Sequence, residues 1–336
     1  MRRVALAVLT FAVLLPVTTL AVPRPPEPRL HPSRIPALPS YVAKVESAIV
    51  AVKVRARDDA PSSARLGADR FASGVVFDER GYVVTVNYAL MDAVRIDVTT
   101  RAGRTVNATL VGMDTASGLG VIKLEAEGPW TTARLGHTRD LKVGDVTGTV
   151  GVDEDNDLVW VQSSVHGLRR FSAYWEYMLD RALFVAPGSP SWGGSAVVDA
   201  GGHVVGIASL RLGDAPHVNL AIPLEKFTDV KDEIIAAGRV VSRRSRPWLG
   251  LYTIAIDNSV IVDGFAATGP ARTAGFRRGD RIVGVNGVDV RTQEEFYEAL
   301  WRGQAGDVVK LAVRRTDGVV VIPVRSIDRE GLTTTR

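Results

Sequence analysis

Two serines, Ser191 and Ser195, bracket a pair of glycines in "SPSWGGSAVVDAGGHVVGI", residues 189–207. A hydroxyl in such a loop can act as a nucleophile when a base takes its proton. That chemistry needs an imidazole within hydrogen-bond reach of the hydroxyl and a carboxylate that orients the imidazole. The histidines are His31, His137, His166, His203 and His217, and each reads on its own as a surface or turn residue. There is no cysteine, which excludes thiolate catalysis, disulfides and thiolate zinc sites. "HVNLAIP" and "HVVGI" hold isolated histidines with no partner at ligand spacing, so neither metal nor cofactor is expected. A net charge of +4 gives no case for nucleic acid.

Elements that could position such residues are mostly strands. "FASGVVFDERGYVVTV", "AVRIDVTTRAGRTVNATLVGMD", "GLGVIKLEA", "GDVTGTVGVD", "DLVWVQSSVHG" and "HVVGIASLRLGD" are short, rich in Val, Ile and Thr, and punctuated by Gly- or Asp-containing turns. This is the pattern of an antiparallel barrel or sandwich. Leu224, Phe227, Val230, Ile234 and Ile235 recur at helical spacing before Gly238, predicting one helix that closes the region. "SRRSRP" at 242–247 reads as a solvated linker. Beyond it come strands, a helix at "TQEEFYEALWRG", and two closing strands, "DVVKLAVRR" and "GVVVIPVRS", which together predict a smaller α/β unit. At the other end, a basic start and an apolar run from Val4 to Val22 have the layout of an export signal, removed or retained as an anchor. The proline-rich stretch after it predicts an extended spacer.

From Tyr41 to Asp328 the chain resembles the HtrA/Deg family, exported trypsin-like serine proteases with a C-terminal PDZ domain. The resemblance rests on "SGVVFDERGYVVT", "GMDTASGLGVIKL", "SPSWGGSAVVDAGGHVVGI", "VNLAIP", "RPWLGL" and "GPARTAGFRRGDRIVGVNG", in that order. It implies a mainly β fold, a trypsin-like double β-barrel followed by a small α/β PDZ domain. The implied layout is a signal or anchor over 1–21, a Pro-rich linker over 22–40, the protease-fold domain over 41–240, a linker over 241–247, the PDZ domain over 248–328 and a tail over 329–336.

Laid on the family pattern, the three triad positions hold the wrong residues. Tyr88 stands in the place of the histidine, Gly118 in that of the aspartate and Gly193 in that of the serine. A tyrosine, with an ordinary pKa of about 10, is a poor base near neutrality. Loss of a triad lowers turnover by about a millionfold. Ser191 and Ser195 are the fallback nucleophiles of a nonstandard serine endopeptidase, and neither has a base beside it in the sequence. Putting His, Asp and Ser back at 88, 118 and 193 together is the change that could return weak activity. Asp114 reads as a turn residue. Trp192 can plug the cleft, stack on a bound peptide or anchor its own loop.

The PDZ pattern is intact. By the resemblance, Trp248, Leu249, Gly250 and Leu251 form a loop whose backbone amides can take a terminal carboxylate, and "LYTIAI" is a strand to which an extended peptide can add. Phe296 and Leu300, four apart on the helix, can line a pocket for the last side chain or simply pack on the domain's own sheet. The expected partners are polypeptide C-termini or unfolded protein. The family also implies a trimer, or association with an active HtrA-like protease, in a periplasmic or other extracytoplasmic setting.

Overall fold

The computed structural model describes residues 37–333, so the signal or anchor and most of the proline-rich spacer lie outside the described residues. Val, Ile and Thr are frequent in strands such as IVAVKVRA, YVVTV and VTGTVGV, most of whose residues are buried, as expected where β-branched side chains pack on a pleated surface. β1 (Ile49–Ala56), β2 (Asp69–Asp78), β3 (Tyr82–Val86), β4 (Ala93–Thr100), β5 (Thr105–Asp114) and β6 (Leu119–Leu124) close into one barrel in the order β1-β2-β3-β6-β5-β4. β7 (Val146–Val152), β8 (Leu158–Ala173), β9 (Tyr177–Ala186), β10 (Ala196–Asp199), β11 (Val204–Leu212) and β12 (Val218–Pro223) close a second, in the order β10-β11-β12-β9-β8-β7. Closure removes the open sheet edges. One apolar core runs through both barrels, from Ile49 and Val121 to Phe184 and Ile222.

The closing helix is split in two, contrary to the single helix expected. Glu225–Thr228 and Lys231–Ala237 are separated at Val230, which leaves helical geometry at φ −130° and ψ 1°. The break lets Phe227 and Ile234 both reach the barrel core, where Phe227 meets Phe77 edge-on at 5.0 Å.

Residues 241–247 are not merely solvated. Arg243 pairs with Asp114 at 2.9 Å, Arg246 lies over the Trp301 ring at 4.4 Å, and Ser245 donates to Asp328 at 2.8 Å. Each anchor joins the connecting segment to folded structure, which a free linker would lack.

Next come β13 (Pro247–Trp248), β14 (Leu251–Ile256), β15 (Ser259–Phe265), β16 (Arg281–Val285), β17 (Val288–Asp289), β18 (Val308–Arg315), β19 (Gly318–Arg325) and β20 (Ile327–Asp328). The smaller sheet runs β14-β15-β16-β18-β19, while β13 pairs with β20. The helix Gln293–Leu300 starts in a capping box, in which Thr292 accepts from the Glu295 amide and Glu295 accepts in return. It packs Phe296, Tyr297 and Leu300 into the sheet.

Candidate functional site

The hairpin β2–β3 delivers Tyr88 just after Val86, and the loop before β10 delivers Gly193 to the same place. A β-carbon added to Gly193 would lie 3.0 Å from the Tyr88 hydroxyl. Gly118 is tied to this region through its carbonyl, which accepts from the Asn87 amide at 2.9 Å. The Tyr88 hydroxyl donates to the Ser209 carbonyl at 3.1 Å, and burial pushes its pKa above the ordinary phenol value. It is held as a neutral donor and has no base-like role there.

Gly118 has φ +87°, and a β-carbon on it would meet the Tyr177 hydroxyl at 3.0 Å and Ile222 at 3.3 Å. An aspartate here is therefore strained in backbone and crowded in space. The three-residue restoration is corrected on this ground, because it puts a carboxylate where the backbone does not favour one.

Among the described residues, neither fallback serine hydrogen-bonds to a histidine. Ser191 donates to the Val152 carbonyl, and the fully buried Ser195 donates to the Ser191 carbonyl at 2.6 Å. His203 pairs with Asp199 at 3.2 Å, His217 meets the Gly213 carbonyl at 2.7 Å, and His137 lies 3.8 Å from Asp140. His166 is exposed on β8, and His31 lies outside the described residues. Trp192 packs half-buried against the cluster of Val165, Leu183 and Val185, which makes it an anchor of its own loop. Asp114 accepts from the amides of Ala116 and Ser117 and pairs with Arg243, so its carboxylate is fully engaged in the turn and linker.

The second part of the site is the groove between β14 and the helix Gln293–Leu300. Leu249 and Leu251 direct their amides at one point, where a carboxylate of this same chain sits. Glu176 Oε2 accepts from the Leu249 amide at 3.0 Å and Oε1 from the Leu251 amide at 2.7 Å. Glu176 sits in the turn between β8 and β9 and is 5% exposed. Burial pushes its pKa up from 4.5 to about 7, against the opposing pull of the Leu249, Leu251 and Gly250 amides and the Arg329 guanidinium.

The residues around Glu176 complete the contact. The Tyr174 carbonyl accepts from the Thr253 amide at 2.9 Å. The Tyr297 hydroxyl donates to the Ala173 carbonyl at 2.6 Å and receives the Glu176 amide at 3.2 Å. Met178 joins the apolar cluster of Leu249, Leu251, Phe296 and Leu300. Phe296 and Leu300 are thus fully buried rather than lining an open pocket, and Trp248 is committed to the β13–β20 pair. Arg329, assigned to the tail over 329–336, donates to the Trp175 carbonyl at 3.4 Å. Beside the turn, Arg65, Tyr174, Tyr252, Phe265, Arg272 and Arg278 line an open groove of about 710 Å³.

Sequence reasoning missed Tyr174, Glu176, Met178, Tyr297 and Arg329. The local signal that could have flagged the turn is the cluster Tyr174-Trp175-Glu176-Tyr177, too aromatic for an exposed hairpin tip.

Comparison with known proteins agrees with this architecture. Residues 72–207 match the trypsin-like peptidase domain and residues 247–326 the PDZ domain. The chain is 26% identical over 345 residues to serine endoprotease DegS of Salmonella typhimurium, covering 94% of each chain. It is 25% identical over 304 residues to the serine protease Do-like HtrA of Lactobacillus helveticus, covering 80% of this chain and 72% of that one. Among solved structures it resembles the HtrA-type protease AlgW with decapeptide, at a TM-score of 0.55 and 21% identity over 86% of this chain and 98% of that chain. It also resembles the serine endoprotease from Yersinia pestis, at a TM-score of 0.54 and 23% identity over 86% of this chain and 96% of that chain.

Proposed function

Since the chain belongs to the HtrA type, a trypsin-like peptidase domain followed by a PDZ domain, we propose that it binds polypeptide chains without cleaving them. One observation carries this reading. At the place where acyl transfer would occur, Tyr88 abuts Gly193 with its hydroxyl bound to a carbonyl, and Gly118 offers no carboxylate. A nucleophile, a base and an orienting group act as a unit, so the absence of all three side chains removes the mechanism rather than weakening it. The relatives named above carry protease names, and this chain departs from the HtrA-family pattern, as read from the sequence, at these three positions.

The binding half of the proposal rests on loop amides of Leu249 and Leu251 that already hold a carboxylate. A polypeptide C-terminus presents the same group on an extended strand, which β14 can extend. The AlgW neighbour was solved with a decapeptide, which supports the same ligand class here. The chain then serves as an adaptor or regulatory factor for polypeptides outside the cytoplasm, an assignment that leans on the apolar run Val4–Val22. Among the described residues no helix is long and apolar enough to cross a membrane.

The test is labelling with a fluorophosphonate probe together with casein hydrolysis. The wild-type protein is expected to show neither above a blank. Tyr88→His, Gly118→Asp and Gly193→Ser combined are expected to stay unlabelled as well, because the aspartate must adopt a left-handed backbone against Tyr177. Labelling of Ser191 or Ser195, lost on mutation to alanine, would establish a nonstandard endopeptidase and end the noncatalytic reading.

A further inference from the structure

We infer that Tyr174–Glu176 is a built-in substitute for a bound chain terminus, and that a free C-terminus enters the groove only by displacing it. The inference rests on the reading of this groove as a site for polypeptide C-termini.

Spacing carries the argument. Backbone groups on one edge of a strand recur every two residues. On the groove side, the Leu251 and Thr253 amides are two apart. On the hairpin side, the Glu176 carboxylate takes the first at 2.7 Å and the Tyr174 carbonyl takes the second at 2.9 Å, again two apart. That is the register of a strand added to β14 with a carboxylate at its end. The difference from a true terminus is that the carboxylate hangs on a side chain, and the main chain escapes by turning through φ +55° at Glu176. Met178 then fills the apolar cluster where a terminal side chain would go.

Simple packing between the hairpin and the groove does not require this arrangement. A buried carboxylate is costly to desolvate, and an apolar residue would pack the same surface at less cost. A left-handed backbone on a residue other than glycine adds strain. Both costs fall on Glu176, the residue that reaches the loop amides. The hairpin is held by polar contacts as well: Ser172 donates to Glu294 at 2.6 Å and Arg170 pairs with Glu298 at 2.7 Å, both on the helix Gln293–Leu300. An internal ligand of this kind lowers apparent affinity for any external one by the fraction of time the groove stands open.

The test uses the full-length chain and a fluorescein-labelled decapeptide ending in Tyr-Trp-Met with a free carboxylate, beside the same peptide as its C-terminal amide. Fluorescence anisotropy at about pH 7.5 is expected to show Glu176→Ala binding the free peptide about tenfold or more tightly than wild type, with Glu176→Gln between them and the amide weaker throughout. Amide hydrogen exchange, without peptide, is expected to rise at Leu249, Leu251 and Thr253 in both variants. In wild-type protein, saturating peptide is expected to raise exchange at Glu176, a readout that needs no variant to fold. Unchanged exchange at Leu249, Leu251 and Thr253 in Glu176→Gln, or equal peptide affinity in wild type and both variants, would overturn the internal ligand. Raised exchange with no peptide bound by any protein would uphold the internal ligand and sink the assignment of the groove to C-termini.

Discussion

Raising the pH through the range from 4.5 to about 7 is expected to remove about 3 kcal/mol of stability that depends on Glu176. The sign follows from the direction of the shift. Burial raises the folded-state pKa above its unfolded value, so the folded state holds the proton more tightly. The contribution is complete below 4.5 and is lost as the pH passes about 7. The groups that face this carboxylate are the Arg329 guanidinium, which favours ionisation, and the Tyr297 phenol on the helix. The loop contributes only backbone amides. Urea unfolding of wild type and Glu176→Gln across this range checks the expectation, because titrations elsewhere cancel in the difference. Wild type should lose stability relative to the variant as pH rises. Parallel curves would show that the amides and Arg329 fully compensate the burial.

Gly194→Ala is expected to destabilise the protein by at least about 3 kcal/mol, lowering Tm by roughly 6–12 °C. Gly194 has φ +82°, and a β-carbon there would lie 2.0 Å from the Ser73 carbonyl oxygen and 2.5 Å from Thr85 Oγ1. The loop cannot retreat easily. The Gly193 carbonyl accepts from the Ser73 amide at 2.8 Å, the Gly194 amide donates to Ala208 at 2.9 Å, and the Ala208 amide donates to Ser195 at 2.8 Å. Gly103→Ala is the control. Its φ is +80°, almost the same, but nothing lies within 4 Å of the added carbon. It should cost only the backbone strain, about 1–2 kcal/mol. Calorimetric scans giving the two variants equal Tm values would show that the contact with Ser73 relaxes freely.

The sequence made the strands, the loop before β10 and the smaller α/β unit readable because their signals are local. Glycines mark turns, β-branched residues alternate, and Thr292 with Glu295 marks a helix start. Tyr88, Gly118 and Gly193 were picked out because each is placed by its neighbours in a short motif. The long β8–β9 hairpin was not. Its second strand, "YMLDRALFVA", shows no clean two-residue alternation, because several successive residues are buried. Glu176 looked like any surface acid, and its partners Leu249 and Leu251 are more than seventy residues away. Local pattern carries no information about contacts at that range. The linker failed for the same reason: Arg243 and Arg246 read as solvated charge until Asp114 and Trp301 are brought beside them.

The tether between Glu176 and the groove also fixes how much competition a free peptide must overcome. A ligand on the same chain acts at an effective concentration set by geometry, commonly millimolar for flexible connections, and dilution of the protein does not change it. A free C-terminus must therefore offset a constant internal dose, whatever the abundance of the protein. The groove then responds to peptide with an ordinary saturation curve whose midpoint that fixed dose raises, so it stays mostly filled from within while free chain ends are scarce or weak.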